Sequence, residues 1–288
     1  MSDRVLPRYP IYIPSKDRFD VTTQFVTAQF LIKDEVPFKL VVEEHQADAY
    51  GARFGEDNVL VLPHRDQGLF QSRNWIKEHA TAEGHERHWQ LDDNIMDIRY
   101  RWKNNRRITC AAGPALAAVE DFTDRYENIA ISGLNYKFFV TPGAPPYFVN
   151  VHVYSCTLVN NAIPHRWRLL YNDDTDICLQ VLTDGLCTVL VNVFSIEKST
   201  TMKTKGGNTD ELYKIEDGRL KMARSLERMW PGVVTTDRRF GRPQHVVRDN
   251  WKGFDTPLKL KPDVDLAELA KRPNEYGLKL KRLREEKT

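Results

Sequence analysis

Gln90-Leu91-Asp92-Asp93-Asn94-Ile95 passes from apolar residues into a knot of acids and out into apolar residues again. His88-Trp89-Gln90-Leu91 has the length and character of a buried strand. A strand that ends in adjacent carboxylates delivers hard oxygen ligands to one edge of a sheet. Open α/β sheets bind ligands there, in the crevice beyond the carboxyl ends of their strands. Adjacent acids repel unless a cation lies between them, and Mg2+ or Mn2+ shared with diphosphate oxygens meets that need. Asp-Asp-Asn is also ordinary turn chemistry, so the stretch takes its meaning from its surroundings.

Upstream, residues 9–14 alternate aromatic and β-branched side chains and predict a strand, with Ser15-Lys16-Asp17-Arg18 as a loop. A helix over 22–33, a strand over 38–42, a helix over 46–54, a strand over 58–62 and a helix over 68–79 follow. With the strand into Asp92 the order is β-α-β-α-β-α-β on short links. That order predicts a mostly parallel sheet between helix layers. Downstream the chain turns basic at Arg99, Arg101, Lys103, Arg106 and Arg107, interleaved with Tyr100 and Trp102. Further strands are predicted over 129–134, 138–140, 147–153, 155–159 and 187–196. Helices are predicted over 114–126, from Asp173 to a cap at Gly185, and over most of 210–229. Residues 231–254 read as irregular, and 279–287 as a charged tail or terminal helix.

At 288 residues the chain holds one or two domains, and its net charge of +2 gives no global commitment to nucleic acid. Any such argument rests on local charge. Cys110, Cys156, Cys178 and Cys187 show no Cys-x-x-Cys spacing, which argues against zinc. With no signal peptide and no long apolar run, the chain is expected in the cytosol with reduced thiols and no membrane span.

A second acidic knot, Asp173, Asp174 and Asp176, opens the later helix. One acid would serve as a cap and complement the helix dipole; three suggest a division of labour between holding a metal and taking a proton. Arg18 could pair with phosphate beside Pro14-Ser15, or belong to a surface loop. Glu43, at a strand end, could accept from a base or ribose, or be a solvated acid. Arg73-Asn74 could reach a diphosphate, or form a surface ion pair. His79, His85 and His88 read better as a solvated turn than as a metal site. Gly206-Gly207-Asn208 after Lys203 and Lys205 could form an anion nest or a polar loop. His245 is a candidate late metal ligand or a structural histidine.

Together these pieces resemble a GT-A glycosyltransferase. The resemblance rests on the Ile13-Pro14-Ser15 strand end, Glu43, Gly68 with Arg73-Asn74, Leu91-Asp92-Asp93-Asn94-Ile95, and Asp173-Asp174-Thr175-Asp176-Ile177. Over residues 9–251 the chain is similar to the TET-associated glycosyltransferases, phage and related enzymes proposed to glycosylate 5-hydroxymethyl-pyrimidines in DNA. The resemblance implies a three-layer α/β/α sandwich over 1–254, with a nucleotide-sugar half at 9–95, an acceptor half at 96–254 and a charged extension at 255–288. It implies a UDP-sugar donor, UDP-glucose first, contacted by Pro14, Ser15, Arg18, Glu43, Arg73, Asn74 and Asp92. It implies Mn2+ or Mg2+ on Asp93 with Asn94 and His245. Asn94 stands where the fold's motif usually has Asp, a weaker ligand. Asp174 is the first choice for the proton acceptor, then Asp176 and Asp173. The implied acceptor is double-stranded DNA carrying 5-hydroxymethylcytosine, with the target base flipped out, and Arg99, Arg101, Lys103, Arg106 and Arg107 either hold it or form a solvated basic loop. The competing readings are transfer to a non-DNA acceptor, a nucleotidyltransferase, and a DNA-binding module without catalysis.

Overall fold

The computed structural model describes residues 5–19, 26–101, 106–198, 217–239 and 241–273. Strand β1 (Ile11–Pro14) buries Ile11 and Ile13 on one face with Leu40 and Val42, and Tyr12 on the other with Val41. Both faces are buried, which is why the strand reads as an unbroken apolar run. Strands β2 (Lys39–Glu43), β3 (Val59–Leu62) and β4 (Arg87–Leu91) alternate with helices α1 (Val26–Lys33), α2 (Ala47–Phe54) and α3 (Leu69–Ala82). The chain continues as β5 (Ile95–Arg101), β6 (Arg107–Cys110), α4 (Ala112–Thr123), β7 (Ile129–Tyr136), β8 (Tyr147–Val149), β9 (Cys156–Asn160), α5 (Asp173–Thr183) and β10 (Cys187–Lys198).

The ten strands form one sheet in the order β3-β2-β1-β4-β9-β7-β10-β5-β6, with β8 also on β10. The pairings β1–β2, β2–β3, β1–β4 and β7–β10 are parallel. Antiparallel pairings reverse only β5, β8 and β9, so the other seven strands share one direction. Helices α1, α2 and α4 pack on one face through Leu31, Tyr50 and Leu116. On the other face lie α3, through Ile76 and Ala80, and α5, through Ile177 and Val181. The predicted three-layer α/β/α sandwich is the architecture observed. Gly133 of β7 allows the close approach of β9, since a Cβ there would lie 2.3 Å from the Cys156 carbonyl oxygen.

From β1 the chain moves outward to β2 and β3, then returns to place β4 on the other side of β1. The helices therefore diverge above the carboxyl ends of β1 and β4, and a crevice opens at that switch point. Strands β4 and β5 are joined by only three residues, Asp92-Asp93-Asn94, yet stand four places apart in the sheet.

Some local expectations differ from the structure. The basic run is an antiparallel hairpin of β5 and β6, with Arg101 opposite Arg107, rather than a loop. Residues 138–140, predicted as strand, begin within a 3-10 turn over Lys137–Phe139 that leaves Phe138 89% exposed. The stretch 231–254 contains a second hairpin, β11 (Val234–Arg239) with β12 (Arg242–Val247), packed with helix α6 (Gly218–Met229). Residues 256–261 return to the domain: Asn128 and Asn150 donate to the carbonyls of Pro257 and Thr256 at 2.8 Å each. Lys103, the 203–208 stretch and the 279–287 tail lie outside the described residues.

Candidate active site

The acidic turn is fixed by its backbone. Asp92 N–H donates to the Ser155 carbonyl at 2.7 Å, joining the turn to the start of β9. Thr27 Oγ1 donates to the Asp92 carbonyl at 2.7 Å and accepts from Ile95 N–H at 2.8 Å. The turn so held borders a cleft of about 680 Å3 at the carboxyl ends of the strands, within the range of about 300–1,000 Å3 usual for small-molecule sites.

Every acid at the base of this cleft meets a cation. Asp92 accepts from Lys198 Nζ at 2.5 Å and from Ser155 Oγ at 2.7 Å, and Arg73 Nη2 lies 3.3 Å from its other oxygen. Burial favours the neutral acid, but Lys198 and Arg73 outweigh it and hold the Asp92 carboxyl below its usual range. Asp93 accepts from Ser15 Oγ at 2.7 Å and from the Arg18 guanidinium. Burial dominates there and pushes its carboxyl up despite Arg18. Arg73 reaches the second knot as well, with Nε 2.9 Å from Asp173 Oδ2. Burial pushes Asp173 up to about 6, with Arg73 opposing and the Asp174 charge adding to the rise.

The second knot divides. Asp174 borders the cleft with a side chain 33% exposed, and its carboxylate lies 3.2 Å from His152 Nε2. Burial pulls its carboxyl upward, but His152 and Arg73 prevail and hold it well below the usual range. His245 joins this group rather than Asp93: its Nε2 lies 3.4 Å from Thr175 Oγ1, as His152 does at 3.3 Å. Asp176 is fully buried away from the cleft. It takes Arg168 through both oxygens, at 2.6 and 3.1 Å, and accepts from Trp230 Nε1 at 2.8 Å and Gln180 at 2.9 Å. Its place is a joint between α5 and α6, not the reacting centre.

A divalent cation does not fit this donor set. The two oxygens of Asp93 face Ser15 and Arg18, and Asp92 is flanked by an ammonium and a guanidinium that would repel a dication. Asn94 is buried, and His245 sits with His152. Among the described residues no three His, Cys, Asp or Glu side chains gather as a metal site.

The other candidates are placed as follows. Pro14, Ser15, Arg18, Glu43 and Arg73 all border the cleft. Glu43 lies at its far end, where Oε1 accepts from Asp66 N–H at 2.8 Å. Asn74 turns away and ties down Trp167, donating to its carbonyl at 2.8 Å and accepting its N–H at 3.0 Å. His88 is fully buried on Asn161 and Gln90, and His79 meets Tyr12 Oη at 3.0 Å. In the basic hairpin, Arg99 is committed to Asp97 and Glu197. Arg101 and Arg107 donate to the carbonyls of Ala144 and Val140, and Arg106 is exposed. Lys198, Tyr136, Ser155 and His152 were not anticipated. Only Lys198 left a signal, a cation closing a long apolar strand that runs parallel to β7.

The family model for TET-Associated Glycosyltransferase matches residues 9–207. No curated protein matches the chain. Among solved structures, a protein described as a putative nucleotide-diphospho-sugar transferase from Desulfovibrio desulfuricans G20 is 10% identical with a TM-score of 0.38, over 65% of this chain and 80% of that one. Mannose-1-phosphate geranyltransferase from Thermus thermophilus is 12% identical with a TM-score of 0.32, over 86% of this chain and 68% of that one. Likeness at those scores carries no functional argument. The family match spans well over half of the sequence, and its span takes in the acidic turn, Arg73, the second acidic knot and Lys198. This chain is a glycosyltransferase, a member of the TET-associated glycosyltransferase family.

Proposed function

We propose that the enzyme transfers glucose from UDP-glucose to the hydroxymethyl group of 5-hydroxymethylcytosine in double-stranded DNA. The observation that carries the donor half is the convergence of Arg73, Lys198, Asp92 and Asp174 on one cleft at the switch point. Glu43, beyond β2, suits the base or ribose, and Arg73 suits the diphosphate. In the transfer step the acceptor hydroxyl oxygen attacks the sugar C1. The bond from C1 to the diphosphate oxygen breaks, and its electron pair leaves on UDP. The hydroxyl proton passes to Asp174, whose carboxylate is ionised at neutral pH. A single displacement of this kind inverts the anomeric carbon.

The acceptor half is supported by the surface beside the cleft. Tyr136 borders the cleft, and its ring lies 5.9 Å from that of half-exposed Phe139, which meets the ring of exposed Phe138 at 5.4 Å. Arg101 and Arg107 brace the following loop, and Arg106 lies on the surface next to them. Exposed rings beside cations suit a displaced base and its phosphates. A cytosolic setting fits that acceptor, and all four cysteines are free thiols. The test is mass spectrometry of nucleosides from hydroxymethylated DNA after incubation with a panel of nucleotide-sugars. A hexose on the hydroxymethyl base is the expected product. UDP release with a protein or glycan acceptor and none with DNA would overturn the acceptor.

A further inference from the structure

Lys198 ends β10, and three features set it apart from a surface lysine. It borders the cleft, its side chain is only 15% exposed, and its Nζ is coordinated by three oxygens. Asp92 Oδ2 lies at 2.5 Å, Ser155 Oγ at 3.2 Å and Tyr136 Oη at 3.5 Å. The second cation on Asp92 is Arg73, whose side chain is 6% exposed and also faces Gln90 and Asp173. Removing an ammonium and a guanidinium from water costs several kcal/mol each unless ionic partners compensate. A fold that needed only a structural joint here could place apolar residues instead. These two largely buried cations share one carboxylate at the base of the cleft, in the turn where a metal was expected on the neighbouring Asp93.

We propose that Lys198 and Arg73 are the diphosphate-binding site of the donor and supply there the positive charge that a divalent cation would otherwise bring. The inference rests on the nucleotide-sugar reading above. Lys198 has a flexible stem and a compact charge, so it can pass from Asp92 to a phosphate oxygen without moving β10. Arg73 is anchored on α3 and presents a planar fork to a second oxygen. As the bond from C1 to the diphosphate oxygen breaks, the electron pair arrives between these two groups, which neutralise it without leaving the protein. Asp92 then orients Lys198 and keeps it charged in the empty cleft.

The test is calorimetric binding of uridine, UMP, UDP and inorganic pyrophosphate to wild type, Lys198→Met and Lys198→Arg, each with EDTA and with Mn2+. Wild type should bind UDP about tenfold or more tighter than UMP in EDTA, with Mn2+ changing UDP affinity by less than about threefold. Lys198→Met should lose the preference for UDP while keeping UMP, and Lys198→Arg should retain most of it. A wild-type preference that appears only with Mn2+, or one that survives in Lys198→Met, overturns the proposal. If no uridine compound binds wild type but pyrophosphate does and is lost in Lys198→Met, the anion site stands and the uridine donor falls. If Lys198→Met does not fold, the wild-type comparison of EDTA with Mn2+ still decides.

Discussion

Asp174 and Asp176 stand two residues apart on one helix and have opposite fates. Asp174→Asn keeps its shape and loses its proton acceptor. UDP-sugar binding should survive and turnover should fall by about 10²–10⁴-fold, read by calorimetry beside product formation. If donor binding disappears with turnover, Asp174 belongs to the donor site. Asp176→Ala removes the acceptor of the Trp230 indole N–H and one acceptor of the Gln180 amide, so it should cost about 1–3 kcal/mol of stability, seen in urea unfolding before any assay. His88 contributes to the acid sensitivity. Burial holds its imidazole down at about 3, against about 6.5 in an unfolded chain. Above about 6.5 both states are neutral. Below it the unfolded state gains a proton that the folded state refuses, so stability falls as pH drops from about 6.5 towards 3. Urea midpoints across that window should fall less steeply for His88→Gln, and equal slopes would refute the assignment. The sequence shows the acids of the site because Asp92-Asp93 and Asp173–Asp176 are local runs. It shows Lys198 only as a cation closing a long apolar strand and hides its partner, because only the register of β10 against β5 and β7 brings a residue 106 positions away onto Asp92.

The alternating helices and strands of the first half are legible because β1, β2 and β4 are buried on both faces and each helix is short and regularly spaced. The β5–β6 hairpin is harder to see. Its inward residues, Ile98 and Tyr100, alternate with Arg99 and Arg101, and the charges mask the period of two. The Phe138-Phe139 turn misleads in the opposite sense, since apolar residues in succession suggest a strand and these face solvent. Both departures fall on the proposed acceptor face. The hairpin sharpens the expected effect of Arg106→Ala with Arg107→Ala. Arg99 is committed to Asp97 and Glu197, so among the described residues the charge of this element outside ion pairs lies on Arg101, Arg106 and Arg107. The double variant should reduce the salt dependence of DNA binding by about one to two phosphate equivalents and leave DNA-free UDP-sugar hydrolysis unchanged. An unaltered slope in a salt series would move the DNA surface elsewhere.

At the scale of the whole molecule, the extension beyond residue 254 is fastened to the domain. Glu127 N–H donates to the Lys259 carbonyl, Lys261 N–H to that of Arg125, each at 2.8 Å, and Leu258 packs on the main core. A chain ending at Phe254 should therefore melt several degrees lower, a loss of about 2–4 kcal/mol from these bonds and from the packing of Leu258; an unchanged melting curve would show the fastening to be idle. The sheet order carries a mechanical consequence. Neighbouring strands lie about 4.8 Å apart, so four steps across a flat sheet would separate β4 from β5 by about 19 Å. The four Cα steps from Leu91 to Ile95 reach about 14 Å when fully drawn out. The rim of the sheet must therefore curl inward, and Asp92-Asp93-Asn94 is the tie that keeps it drawn. The length of that tie matters independently of its chemistry. One glycine inserted after Asn94 alters no side chain, yet it should slacken the rim, separate Asp92 from Lys198 and weaken UDP binding while the melting temperature barely moves.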